Sequence, residues 1–423
     1  MLGAVLGGLI GGFVVVGITL VLKVGMDFAS RENTLYIVVV PLLGLTLATL
    51  ILHRLGRSGG SEARRAHPWR TFPPDAIRAD ISGDLIESEG EEERFPWRLA
   101  PIRALAIVAT VGSGGAMGTE APAAYLGVAT GVCLGDRGRW WRRLLRPAAL
   151  AGGAAGVSAL MAAPLVGTVF MLELGLRRRA PVNTERTAAA LLGGYIGWVI
   201  TAFFHLKFIR LVVPREPPAS FTQAAVTALL IGALAGAISS LAGLAVNRAK
   251  KWRAPPAVRL AVGGAAIVAT AVLLAWIATP TAAVGPGGGA ILWAENAHAL
   301  PSTMLAVCAL RATATTAAVA AGGCGGVFVP FLAVGDIAGR VFAPGLGVGS
   351  DLAGAAGAAG GIAGGYRLPI TAVVMVLSVG GPHLATLTCL ATVVVAFGAG
   401  LGAEATLSRL KGLVSAHRQA PVH

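Results

Sequence analysis

Two short strings in this chain combine residue types suited to holding an anion. Gly114-Gly115-Ala116-Met117-Gly118-Thr119-Glu120-Ala121-Pro122 aligns on its proline with Gly322-Gly323-Cys324-Gly325-Gly326-Val327-Phe328-Val329-Pro330. Proline is tolerated in the first turn of a helix, where its missing N–H is not needed, and the glycines before it permit an unwound backbone. Each string therefore predicts a loop that turns into a new helix, framed by Gly118 and Pro122 in one copy and by Gly326 and Pro330 in the other. The backbone N–H groups of Thr119–Ala121 and Val327–Val329 are then outside any helical ladder. Such a terminus carries about half a positive charge and attracts anions. Two of them face to face would replace a hydration shell without a buried Lys or Arg, whose grip would keep the ion from leaving. Glu120 sits inside the first terminus. Ionised, its carboxylate competes with a bound anion; protonated, it can move aside. The plain alternative is a buried helix cap. Its counterpart, Phe328, brings an apolar wall and no charge.

The two strings belong to a longer repeat. A Gly follows each proline by five residues, Gly127 and Gly335. Ala163-Pro164-Leu165-Val166-Gly167 comes 42 residues after Pro122, and Leu368-Pro369-Ile370-Thr371-Ala372 comes 39 after Pro330. Each is preceded by Gly eight residues before its proline, Gly156 and Gly361. Four elements in one order and spacing argue for two duplicated halves. Duplicated membrane halves are typical of transporters, with the site between them at broken helices.

Composition says what surrounds these elements. Of 423 residues, 55% are hydrophobic, another 59 are Gly, and only 13% are charged, about half the usual quarter. Mean hydropathy is +0.74. That much apolar surface cannot be hidden from solvent, so the solvent is lipid. Soluble enzymes, nucleic-acid binders and disordered chains are excluded. The formal charge of +14 reads as Arg and Lys at the ends of spanning helices. Lipid-facing sheet would need alternating strands closed into a barrel, and none occur, so the chain is an all-α integral membrane protein. Apolar stretches such as 99–135, 148–174, 303–342 and 353–380 are too long for one crossing and too short for two upright ones, which predicts tilted and broken helices. The first apolar stretch lacks a basic leader and reads as a retained helix to about Lys23. The expected organisation is membrane helices over 1–52, a polar charged loop over 53–98 with nine of the 20 acids, the rest of the first repeat over 99–210, and the second repeat over 211–423.

Other chemistry finds no footing. Cys133, Cys308, Cys324 and Cys389 are isolated in apolar runs, and no His cluster or HExxH string occurs, so neither a disulfide framework nor a metal site is expected. GxxxxGK[ST] is missing, which argues against a nucleotide phosphate site. No cofactor and no enzymatic nucleophile are expected.

These residues resemble the CLC family of chloride channels and proton-coupled chloride transporters. Gly118-Thr119-Glu120-Ala121-Pro122 is similar to its GREGP stretch and Gly326-Val327-Phe328-Val329-Pro330 to its GxFxP stretch, with Gly287-Gly288-Gly289 and Leu368-Pro369-Ile370-Thr371 in similar places. The resemblance implies a homodimer of inverted-repeat protomers, each with its own anion pore. It makes Glu120 the gating carboxylate and sets the N–H groups of Val327 and Phe328 on the central anion. The chain departs from the pattern in several places. The GSGIP stretch falls near Gly59-Gly60-Ser61-Glu62 without Ile-Pro, which leaves Ser61 as the candidate hydroxyl ligand. Thr119 replaces the motif arginine. The pore tyrosine falls on Leu407, next to Ser408. The inner proton-collecting glutamate falls on Leu174, directly after Glu173. Glu173 is thus a candidate for a proton path, or a helix-end partner of Arg177 at i+4.

The expectation is therefore transport of a small anion, chloride first, across the cell membrane by a multi-pass protein. Leu174 tilts it toward passive or loosely proton-coupled flux. A proton-driven exporter of fluoride or another anion, and a non-conducting membrane scaffold, are the alternatives.

Overall fold

The computed structural model describes residues 1–29, 34–56, 95, 97–135, 147–177, 180–206, 208, 209, 211–297 and 299–419. Ser61 and most of the 53–98 segment lie outside the described residues. The first half contains α1 (Leu2–Ala29), α2 (Thr34–Gly56), α3 (Ala100–Val111), α4 (Glu120–Gly135), α5 (Ala148–Met161), α6 (Pro164–Leu176) and α7 (Thr184–Phe203). The second contains α8 (Phe221–Lys251), α9 (Pro256–Ile277), the short α10 (Pro280–Ala283), α11 (Gly288–Asn296), α12 (Pro301–Ala321), α13 (Phe328–Arg340), the short α14 (Ala343–Leu346), α15 (Ser350–Gly361), a π-helical turn (Ile362–Tyr366), α16 (Pro369–Val379) and α17 (His383–Gln419).

Helix starts follow local chemistry. Pro164, Pro256, Pro301 and Pro369 each open a helix, where the lost N–H is not missed. The side chains of Asn183 and Ser220 cap α7 and α8 by accepting from Arg186 N and Gln223 N. Among the described residues, six helices (α1, α2, α8, α9, α12 and α17) are long and apolar enough to cross a bilayer. Their outer faces carry large apolar side chains such as Phe221 and Trp276, exposed 76% and 82%, which only lipid can cover.

The long apolar stretches break where glycine and proline stand. Residues 99–135 divide into α3 and α4, 148–174 into α5 and α6, 303–342 into α12 and α13, and 353–380 into α15 and α16. Apart from α12, which has 21 residues, the pieces are 11 to 16 residues long. At 1.5 Å per residue each of these shorter pieces reaches only part-way through the hydrocarbon. Their ends therefore lie inside the protein, as the tilted and broken helices of the sequence reading require. One expected end moves outward: α1 runs to Ala29, past Lys23. α17 runs to Gln419.

The duplication is visible in the packing. α1, α2, α3, α4, α5, α6 and α7 recur in order as α8, α9, α12, α13, α15, α16 and α17. The pairs α4–α5 and α13–α15 pack alike, as do α1–α7 and α8–α17, and α2–α3 and α9–α12. Their contacts repeat at atomic detail. A Cβ on Gly127 of α4 would stand 2.1 Å from the Gly152 carbonyl of α5, and one on Gly335 of α13 would stand 2.3 Å from the Gly357 carbonyl of α15. Backbone meets backbone there, which only glycine permits. The turn before each helix-opening proline repeats too. Ala162 and Arg367 both adopt left-handed backbone, at φ +51° and +63°.

Adding a side chain at these crossings should separate the helices. Gly127→Val and Gly335→Val should each cost on the order of 3 kcal/mol, read as a lower thermal midpoint of detergent-solubilised protein. Gly17→Ala, where nothing lies within 4 Å of the new carbon, should leave the midpoint unchanged. Equal midpoints for all three would contradict this packing.

Candidate functional site

The two Gly-rich loops bring the starts of α4 and α13 together. Gly118 N donates to Gly326 O at 2.7 Å and Gly326 N donates back to Gly118 O at 2.8 Å. This reciprocal pair joins one half of the molecule to the other at the point where each half has its broken helix. Cys324 N donates to Thr110 Oγ1 at 3.0 Å, and Gly285 N, from the loop after α10, donates to Gly114 O at 2.7 Å. The loops are held from both sides.

Beyond the glycines the helical ladders begin late. The first ladder bonds run from Ala123 N to Thr119 O and from Phe331 N to Val327 O. The N–H groups of Glu120, Ala121, Phe328 and Val329 therefore precede both ladders, and Pro122 and Pro330 have none to offer. Thr119, Glu120, Ala121, Val327, Phe328 and Val329 are all buried. Glu120 is 1% exposed. Its Oε2 accepts from Val329 N at 3.4 Å, and its Oε1 accepts from Thr119 Oγ1 at 3.4 Å. The carboxylate of one helix start thus occupies the amide end of the other. An acidic group at a helix N-terminus is favoured by the terminal N–H groups and the aligned peptide dipoles, as any anion would be.

Glu173 is placed otherwise than the sequence suggests. Its carboxylate accepts from Ile370 N at 2.9 Å, Thr371 N at 2.7 Å and Thr371 Oγ1 at 2.6 Å. Glu173 of α6 is therefore an N-cap supplied across the molecule to α16, whose own preceding residue, Leu368, has no side-chain acceptor. The expected i,i+4 pair with Arg177 does not form. The Arg177 guanidinium instead donates to the Tyr366 carbonyl and, at 2.7 Å, to the Arg367 carbonyl. The carboxylate thus holds three donors at the helix start. Leu174 beside it is buried and apolar. Ser408 is exposed, with its hydroxyl returned to Ala405 O, and takes no part in the buried cluster; Leu407 has no polar group to bring.

Three residues escape the sequence reading. Arg103 and Arg311 each stand 11 residues before the first glycine of their string, and both are 1% exposed. Arg311 donates to the carbonyls of Ala282, Ala283 and Gly285, fixing the loop that braces Gly114. The Arg103 guanidinium lies 5.0 Å above the Tyr125 ring of α4. The repeat offset itself is the signal that pairs them. Tyr366 is the third. Its ring stands edge-to-face with Phe328 at 5.5 Å and near Phe331 and Phe170, both at 6.3 Å.

Comparison with known proteins fits this geometry to a family. Residues 69–400 match the family described as voltage gated chloride channel. The chain belongs to that family. Among curated relatives, the H(+)/Cl(-) exchange transporter ClcA of Yersinia pestis bv. Antiqua (strain Angola) is 27% identical over 325 residues, and ClcA of Cronobacter sakazakii is 28% identical over 329. The Yersinia match covers 72% of this chain and 66%, just under two thirds, of the relative's length. The crystal structure of a slow cyanobacterial Cl−/H+ antiporter superposes with a TM-score of 0.74 at 20% identity, covering 97% of both chains. That of a CLC-type fluoride/proton antiporter superposes at 0.70, also with 20% identity, over 94% of this chain and 93% of the other. The voltage-gated chloride channel family thus accounts for the fold of inverted repeats and for a multi-pass membrane protein.

Removing the cross-molecule cap has a definite cost. Glu173→Ala leaves the Ile370 and Thr371 amides without their acceptor and should destabilise the detergent-solubilised protein by about 2–4 kcal/mol. Glu173→Gln, which keeps one acceptor oxygen, should cost roughly half as much. If Glu173→Ala melted with the parent protein, the cap would carry no weight.

Proposed function

We propose that the chain carries a small anion, chloride first, across the membrane between the starts of α4 and α13, with Glu120 as the gate. The observation that carries this reading is the bond from Val329 N to Glu120 Oε2. A carboxylate oxygen on that amide stands where a permeating anion would stand, tethered to the protein and so always present. Proton uptake removes its charge and the charge-assisted part of that bond, worth about 1.5–3 kcal/mol for a bond to an ionised group. An anion can then take the amides of Val327, Phe328 and Val329 on one side and of Thr119 and Ala121 on the other. The contacts are backbone dipoles, so the ion is held without a full opposing charge and can leave.

The proton side of the reading follows from α6. With Glu173 engaged as a cap and Leu174 apolar, no carboxylate of that helix is left to carry protons inward. Flux is therefore passive or loosely coupled. The homodimer implied by the family resemblance belongs to the same proposal, with one pore in each copy.

The test is ion efflux from proteoliposomes with a simultaneous pH electrode. Chloride efflux should rise several-fold as pH falls, because acid protonates Glu120 and withdraws the competitor. Glu120→Gln should be fast at every pH and lose that dependence. An unchanged pH profile would remove Glu120 from the gate. Proton movement in fixed ratio to chloride would reject the loosely coupled version, faster fluoride than chloride efflux would shift the substrate, and no halide efflux at all would leave a scaffold.

A further inference from the structure

We propose that the Thr119 hydroxyl positions the Glu120 carboxylate across the junction of the two helix starts, and so sets the pH at which the gate opens. The inference rests on the gate proposed above and adds a residue that controls it. Thr119 is the position at which this chain departs from the motif arginine. Its carbonyl accepts the first ladder bond of α4, from Ala123 N at 2.8 Å, so Thr119 is the N-cap of that helix. A threonine there ordinarily turns its hydroxyl oxygen to the N–H of the second or third helical residue. The third is Pro122, which has no N–H. The Thr119 hydroxyl instead donates to Glu120 Oε1 at 3.4 Å.

The two carboxylate oxygens are thus held from opposite sides. Thr119, at the start of α4, holds Oε1, and Val329 N, at the start of α13, holds Oε2. Beside Oε2 lie the two glycines of the reciprocal pair: a Cβ on Gly118 would stand 2.4 Å from it, and one on Gly326 would stand 3.3 Å away. Glycine at both positions leaves the room in which the carboxylate sits, and the hydroxyl fixes its orientation there. The second half has the same helix start without this device. Val327 is the N-cap of α13, three residues ahead of Pro330, and offers no hydroxyl; Phe328 after it brings no charge to hold. The titratable side chains on the elements packed against α4 have other settings. The Arg103 guanidinium of α3 lies over the Tyr125 ring, the Cys324 thiol is turned to Arg103 O, and Asp336 and Arg340 of α13 pair with each other at 2.7 Å. Lys23 and Asp27 of α1 and Arg98 of the 97–99 turn are exposed. A hydrogen bond donated to a carboxylate favours its ionised form. The hydroxyl therefore keeps the competitor charged to lower pH, and does so without a cation that would retain the permeating ion.

Thr119→Val removes the hydroxyl at nearly constant volume, and Val327 shows that such a helix start accepts valine before its proline. Chloride efflux from proteoliposomes is followed as a function of pH for the parent protein, Thr119→Val and Thr119→Ser. Without the hydroxyl, the pH of half-maximal efflux should rise by about half to one pH unit, the effect of one long hydrogen bond to an ionised group. Thr119→Ser, which keeps a hydroxyl, should stay near the parent profile. In the Glu120→Gln background Thr119→Val should leave the profile flat, because no proton is then taken up there. Where Thr119→Val folds poorly, Thr119→Ala carries the same comparison. A half-maximum that did not move, or that Thr119→Ser moved as far, would overturn the assignment and leave the gate standing. If Glu120→Gln itself kept the parent's pH dependence, the gate would fall and this role with it.

Discussion

Backbone amides at a helix start have no partner within their own helix, and in a bilayer there is little water to supply one. A membrane protein that ends helices in its middle must answer for each of those groups. Here two such ends are turned toward each other, and the Gly118–Gly326 exchange holds them at hydrogen-bond distance. The exchange uses the glycine amides and leaves those of the following residues facing the junction. Much of the rest of the fold maintains that juxtaposition: short helices that stop part-way, glycine crossings that let α4 and α13 lie tight against α5 and α15, and loops tied to Thr110 and Gly285. The Glu120 carboxylate is the protein's own solution to the amides that remain.

The same problem arises a second time, at α16, and is solved permanently. The Ile370 and Thr371 amides take both oxygens of Glu173, with the Thr371 hydroxyl as a third donor. The comparison between the two carboxylates is instructive. Glu173 makes three bonds of 2.6–2.9 Å to a single helix start. The bonds from Val329 N and from the Thr119 hydroxyl to Glu120 are both 3.4 Å long. Hydrogen bonds weaken with length, so Glu173 is fastened and Glu120 is only resting. One residue type at two helix starts gives a structural cap in one case and, in the proposed gate, a displaceable occupant in the other.

What could be read from the sequence follows from what is local. Glycine and proline act on their own backbone, so the breaks near 114–120, 162–164, 322–328 and 367–369 were legible, as were the helix starts at Glu120 and Phe328 and the duplication that pairs them. The facing of those starts was inferred from the repeat and not from any one residue. Glu173 shows where this runs out. Its neighbours in sequence suggested Arg177, but its partners lie 197 and 198 residues away, brought near only by the packing of α6 on α16.

Divergence between the halves is what turns a symmetric scaffold into a directional site. Arg103 and Arg311 occupy one repeat position and both are buried, yet one lies over an aromatic ring and the other holds three carbonyls. Arg311 shows how a full cation can be kept near such a site without capturing its ion. Its Nη1 and Nη2 donate to the carbonyls of the 282–285 loop, and that loop passes the constraint on through Gly285 N to Gly114 O and so to the Gly118–Gly326 pair. The charge is used as a brace, and direct contact is left to neutral dipoles. On the proposed path, an anion between α4 and α13 would meet Glu120 on one helix and Phe328 on the other, at two helix starts of matching design. Because the two helix starts match, the difference between the two approaches comes from side chains, and in the proposed gate a single proton on Glu120 is what changes it.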